Sequence, residues 1–114
     1  MEDKFIQFEA EAMRRIVAED PSISELLKKQ YKSAEIISRE FTGVGFFTRF
    51  NITDVSSRLP GSVNLELGAA HARIEGIEHG AGFVLFIRGG LIKTLEGYTF
   101  DEPWPERITA YSFE

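Results

Sequence analysis

The chain has 114 residues, 43% of them hydrophobic, which suits one domain over residues 1–114 with a single core and no need of staples. It contains no cysteine, so disulfides, thiolate metal sites and a cysteine nucleophile are excluded. Its formal charge of −5 disfavours nucleic acid and anionic membranes, which need a local excess of Lys and Arg, and an acidic surface suits a basic partner. The opening MEDKFIQFEAEAMRR carries acids where a secretory signal needs a basic start and an apolar stretch. No apolar run approaches the roughly 20 residues that span a bilayer. The expectation is a soluble, cytoplasmic protein.

From Asp3 to Ala18 the apolar residues Phe5, Ile6, Phe8, Ala12, Met13, Ile16 and Val17 recur at helical spacing, with Glu9, Glu11, Arg14 and Arg15 largely between them. Asp20-Pro21 ends this amphipathic helix. Ser22-Ile23-Ser24-Glu25 fits a capping box and predicts a second helix. Its apolar stripe is Leu26, Leu27, Tyr31, Ala34, Ile37 and Phe41, and Gly43 is its stop. Two helices on so short a link are expected to be antiparallel neighbours filling residues 1–43.

Beyond Gly43 the pattern becomes aromatic and β-branched. VGFFTRFNI predicts a strand with Val44, Phe46, Thr48, Phe50 and Ile52 on one side and Phe47, Arg49 and Asn51 on the other. The polar stretch from Thr53 to Ser62 is either a binding loop or simply a mobile one. Val63 to Ile77 alternates on both sides of Gly68, which marks either a bulge in one strand or a break between two. A turn at His79-Gly80 would set Ala72 against Ile87 and His71 against Arg88.

The strongest local signal is GFVLFIRGGLIKTLEG, residues 82–97, in which two apolar runs flank a Gly89-Gly90 hairpin turn. Continued from that turn, the register sets Phe86 against Lys93, Val84 against Leu95 and Phe83 against Glu96. Trp104 follows in a proline-bracketed loop, where it packs over the end of the core or walls a ligand site. RITAYSF, residues 107–113, predicts a last strand. The fold class is therefore α+β, with an N-terminal helical hairpin on one face of a four- to five-stranded antiparallel meander formed by residues 44–114.

These registers divide the sheet. One face collects Ala72, Ile74, Phe83, Leu85, Ile87 and Ile92 and belongs under the helices. The other mixes Val84, Phe86, Leu91 and Leu95 with His71, Arg73, Glu75, Arg88 and Lys93. A solvated face has no use for so many apolar side chains together, so a second copy, a partner protein, a ligand or the chain's own loop and tail is expected on it. His71, Arg73, Arg88 and Lys93 form either a local anion-binding patch or ordinary ion pairs lying over apolar neighbours. Glu96, placed on the core side, is either a general acid or base in a pocket with Tyr98 and Trp104, or a carboxylate satisfied by backbone donors. His71 and His79 make a poor metal pair, and no nucleophile motif or phosphate-binding glycine loop is present. No catalytic residue, metal or cofactor is assigned.

The segments GFVLFI, LEGYTF and Trp104-Pro105, with TGVGFF upstream, resemble a group of short uncharacterised bacterial proteins over about the C-terminal two-thirds of the chain. That resemblance carries over no activity and no functional residue. The small acidic α+β format is similar to immunity proteins that neutralise secreted toxins, by size and charge and without a motif. The leading expectation is a non-catalytic interaction protein, homodimeric or bound to a protein partner, acting through the mixed sheet face. The alternative is a small-molecule binder or modest enzyme with a pocket around Glu96, Tyr98 and Trp104.

Overall fold

The structure is a computed structural model and describes residues 2–114. Helix α1 (Phe5–Val17) buries the expected stripe of Phe5, Phe8, Ala12, Met13, Ile16 and Val17. The Asp3 carboxylate accepts from Phe5 N at 3.1 Å and from Ile108 N at 3.1 Å, tying the helix start to the far end of the chain. Helix α2 (Ser24–Ser33) follows the Pro21 break, but the capping box does not form. The Ser22 N–H and hydroxyl both donate back to Asp20 Oδ1, at 3.0 and 2.8 Å, a local Asx-type turn that competes with a helix cap.

Helix α2 ends at Ser33 instead of running to Phe41, and the helical region does not extend to residue 43. Ala34 turns the chain extended (φ −67°, ψ 139°), and strand β1 (Glu35–Phe41) begins. The β-branched pair Ile36-Ile37 favours this conformation. An extra residue, Ile37, bulges between the Ile36–Phe50 and Ser38–Arg49 rungs. Ile36, Arg39 and Phe41 consequently pair with Phe50, Thr48 and Phe46 of the core face, at spacings of three and two. Ile37 and Phe41, which would continue the helical stripe, are both exposed in the strand.

Strand β2 (Gly45–Asn51) matches its expected two-sided pattern, with Phe46, Thr48 and Phe50 buried. The remaining strands are β3 (Leu65–Leu67), β4 (His71–Ile74), β5 (Ala81–Arg88), β6 (Leu91–Thr99) and β7 (Tyr111–Phe113). Together they form a seven-stranded antiparallel sheet in the order β1-β2-β6-β5-β4-β7, with β3 sharing the β5 edge with β4. The architecture is α+β as expected, with more strands and without the simple meander order, because β6 inserts between β2 and β5. Gly68 marks a break between two strands. A Cβ there would lie 2.1 Å from the Phe83 carbonyl oxygen, so only glycine lets the chain cross.

Two registers differ from expectation. The β4–β5 connection is a longer loop through Gly76 and Gly80, both at positive φ, and sets Ala72 against Ala81 instead of Ile87. That slip of six residues is even, so Ala72 and Ile74 still face the core. The Gly89-Gly90 turn forms with both φ positive, and Ile87 faces Ile92, but Thr94 then faces Phe86. Lys93 is the extra residue of a bulge. This slip is odd, and every later β6 side chain changes face: Leu95 becomes fully buried opposite Leu85, and Glu96 goes to the outer side opposite Val84.

Both helices pack on the same sheet face, Phe8 against Phe83 and Tyr31 against Phe50. The junction of the layers is polar at one point. Gln30, only 1% exposed, donates from Nε2 to the carbonyls of Ser57 (2.8 Å) and Gly90 (3.0 Å) and accepts from Ile92 N (2.8 Å). The 53–62 segment is thereby fastened beneath the hairpin turn, helped by Leu59 N to Gly90 O at 3.0 Å and by burial of Leu59. Gln30→Ala strands the Ser57 carbonyl and the Ile92 N–H in a dry interior and leaves Gly90 O with the Leu59 donor alone, and urea unfolding should show a loss of about 3 kcal/mol. Lys29→Ala on the exposed side of α2 should change stability by less than about 0.5 kcal/mol.

Candidate functional site

The sheet has two unlike surroundings. Its inner face is closed by the helices, and its outer face carries no helix. Alternation puts Phe47 and Arg49 of β2, Thr94, Glu96 and Tyr98 of β6, and Val84 and Phe86 of β5 on that outer face. Phe47, Val84, Phe86, Glu96 and Tyr98 are each half-buried, enclosed by their neighbours along the sheet. Tyr98 lies over Gly82, where a Cβ would come within 2.7 Å of the ring, so this cross-strand pair requires glycine.

Glu96 is flanked directly by Phe47 and Val84, with Arg49 on the diagonal. No hydrogen bond or ion pair forms at Glu96 among the described residues. A carboxylate between two apolar side chains is an acceptor awaiting a donor.

The basic residues expected to converge do not. His71 pairs with Gly82, and Arg88 lies six residues further along β5, roughly 20 Å away at strand rise. Arg73 Nε contacts Glu114 Oε1 at 2.6 Å, while His71 Nε2 sits 3.2 Å from the His79 carbonyl and Nδ1 3.4 Å from Glu114 Oε2. Arg88 donates to Glu66 Oε2 at 2.8 Å and lies over the Phe86 ring. Lys93 is exposed on its bulge. The cations therefore lie over apolar neighbours in ion pairs or stand apart, and no anion cradle is built. Phe86, Glu96 and Tyr98 do share one face, the last two through the unforeseen bulge.

Trp104 belongs to the other side. Its ring meets Phe8 and Phe46 edge-on, with centroids 6.1 and 5.3 Å apart, and its backbone N–H donates to Gly43 O at 2.8 Å. The sheet separates it from Glu96 and Tyr98, so those three residues line no common pocket. Trp104 instead walls a groove of about 520 Å³ between the start of α1, the end of β1 and the 104–108 segment. Phe5, Ile6, Phe41 and Pro105 supply further apolar lining, and Arg39 the inner polar wall.

Arg39 is held from beneath. Glu9, 4% exposed within the α1 stripe, accepts from Arg39 Nε at 3.0 Å and Nη2 at 2.6 Å, and from the Thr48 hydroxyl. The bonded carboxylate raises the guanidinium pKa further, and burial followed by the charge of Glu9 raises that of the Tyr31 phenol. Glu9 was legible as more than a wet-side residue, because it lies at i+4 from Phe5 and i−4 from Met13 on the apolar stripe. Arg39 carries no such signal, because the spacing around it predicts the wet side of a helix.

Compared with known proteins, the chain matches no family model, no curated protein and no solved structure. No helix among the described residues is long and apolar enough to cross a membrane.

Arg39→Ala leaves Glu9 buried without its cation and should cost about 3–5 kcal/mol in chemical denaturation, with part of that loss recovered when Glu9→Met is added. In the segment that leads to Trp104, the Glu102 carboxylate accepts from the backbone N–H groups of His79 and Glu78, each at 2.8 Å, which hold its pKa below the usual carboxylate range. A depressed pKa means that the clasp is present at neutral pH and lost as pH falls through the folded-state value. Hydrogen exchange should show the protection of the Glu78 and His79 amides falling in acid, and Glu102→Ala should remove it at every pH.

Proposed function

We propose that this chain is a non-catalytic interaction protein whose outer sheet face receives a second copy of itself. The observation that carries this reading is the Phe47–Glu96–Val84 row, a half-buried carboxylate set between apolar side chains on a sheet face without a covering helix. Around that central carboxylate stand Phe47, Phe86 and Tyr98, aromatic side chains of the kind enriched at interface centres. Arg49 and Glu96 stand on diagonal positions of that face with opposite charge. A two-fold axis between them would bring each arginine onto the other copy's glutamate, which is the self-complementarity a symmetric dimer needs.

The acidic balance of the chain also suits a basic protein partner, as in toxin-neutralising immunity proteins, and the same face would serve it. A cytoplasmic location accords with a cysteine-free chain.

Light scattering across a dilution series should give a dimer mass, with Phe86→Asp shifting it to monomer through a loss of at least about 30-fold in affinity while the circular dichroism spectrum is retained. Arg49→Glu and Glu96→Arg should each weaken the dimer, and the two together should restore it. A wild-type protein that stays monomeric at high concentration defeats this reading, as does a dimer indifferent to all three substitutions.

A further inference from the structure

We infer that the groove at Trp104 is a binding site for a small neutral molecule made of an apolar ring and a carbonyl oxygen. The site lies across the sheet from the outer face and rests on different residues from the dimer reading. Its volume of about 520 Å³ falls in the range of small-molecule pockets, roughly 300–1,000 Å³. Its walls are aromatic and already in place. Phe41 packs edge-on against Phe5 with centroids 5.3 Å apart, and Trp104 is braced edge-on against Phe46.

The backbone ties these walls together. Trp104 N donates to Gly43 O at 2.8 Å and Lys4 N to Ile108 O at 2.7 Å, while Asp3 accepts from Ile108 N. A ligand entering here has no loop to order, which removes a main cost of binding. The apolar lining is also left open to solvent, with Phe41 55% and Ile6 59% exposed. A ring laid between Phe41 and Trp104 would cover both aromatic walls and meet them at their faces or edges.

The polar requirement comes from Arg39. A guanidinium has five N–H donors in a fixed fork, and Glu9 takes those of Nε and one of Nη2. Nη1 donates to no protein atom among the described residues, and Arg39 lines the groove. The fork cannot swing away, because Glu9 grips it from below. It therefore offers a positioned donor at the inner wall of an apolar site, the arrangement that sets ligand orientation.

Glu9 also cancels the charge of Arg39, and Asp3 and Glu106 add negative charge at the rim, partly balanced by Arg107. The acidic protein as a whole repels anions. These charges favour a neutral carbonyl over a carboxylate as the acceptor.

Trp104 is the single tryptophan, so its indole N–H gives one nitrogen-15 NMR cross-peak inside the proposed site. Benzamide, benzoate and toluene titrated to about 10 mM are the probes, a range suited to fragments of millimolar affinity. Benzamide should shift the Trp104 indole and the Phe41 and Gly43 amides saturably, and at least about threefold more tightly than either other probe. Phe41→Glu, at an exposed position, should weaken benzamide about tenfold or more with the rest of the spectrum unchanged. Arg39→Lys should bring benzamide down to the affinity of toluene.

Absence of a saturable shift at Trp104, or shifts confined to the outer face around Phe86, would overturn the inference. Equal affinity for toluene and benzamide would overturn the role given to Arg39, and tighter benzoate the neutral character of the ligand. Each of these outcomes is independent of the dimer mass, so the two readings fail separately.

Discussion

Gln30 is the interaction on which the two-layer arrangement depends. One buried amide joins α2, the 53–62 crossing segment and the hairpin turn, through bonds to Ser57, Gly90 and Ile92. A Gly-Gly turn exposes backbone carbonyls that a strand ladder would satisfy, and packing a helix over it in dry surroundings requires a donor from that helix. Glutamine can give two hydrogen bonds and accept as well, so one side chain serves all three segments. The segment between β2 and β3 is anchored beneath the hairpin through Ser57 and Leu59.

A second polar tie, Glu9 with Arg39 and Thr48, does for α1 and the β1 edge what Gln30 does for α2 and the hairpin. Between the two ties the layers meet through rings. Phe8 alone touches Phe83, Trp104, Tyr111 and Phe113, linking the central strands to the last one and to the proline-bracketed loop. The ties hold the aromatic layer in one register, and the outer face and the groove are the two surfaces that this rigid body presents. They lie on opposite sides of the sheet and draw on different side chains, so one can be occupied without disturbing the other.

The difference between even and odd slips explains which parts of the fold were legible. The β4–β5 pairing moved by six residues, yet Ala72, Ile74, Phe83, Leu85 and Ile87 all point into the core as their alternation implied. The single extra residue at Lys93 did far more. It turned Leu95 inward and Glu96 outward, and with them the candidate pocket around Glu96, Tyr98 and Trp104 came apart. A bulge is set by how a strand meets both neighbours, here β5 and β2 together, and nothing local in Leu91–Thr99 announces it. The segment Glu35–Phe41 differs for another reason: Ile37 and Phe41 continue the four-residue spacing of the helix before them, yet the chain there is a strand in which Ile37 is the bulged residue.

The amino-acid order alone determined α1, the two faces of β2, the Gly89-Gly90 hairpin and the apolar inner face, because each follows from backbone preference and side-chain period over a few residues. It also placed Phe86 on the open face, since that residue precedes the bulge. Only the tertiary structure decided that Glu96 shares that face with Arg49, that Trp104 and Phe41 frame a groove, and that Arg39 is locked by a buried glutamate from a helix 30 residues away in sequence. Those features depend on strand order, on two one-residue bulges and on which helix lies over which strand. Such relations between distant segments are settled by burying the whole core at once, and no short stretch of the chain contains them.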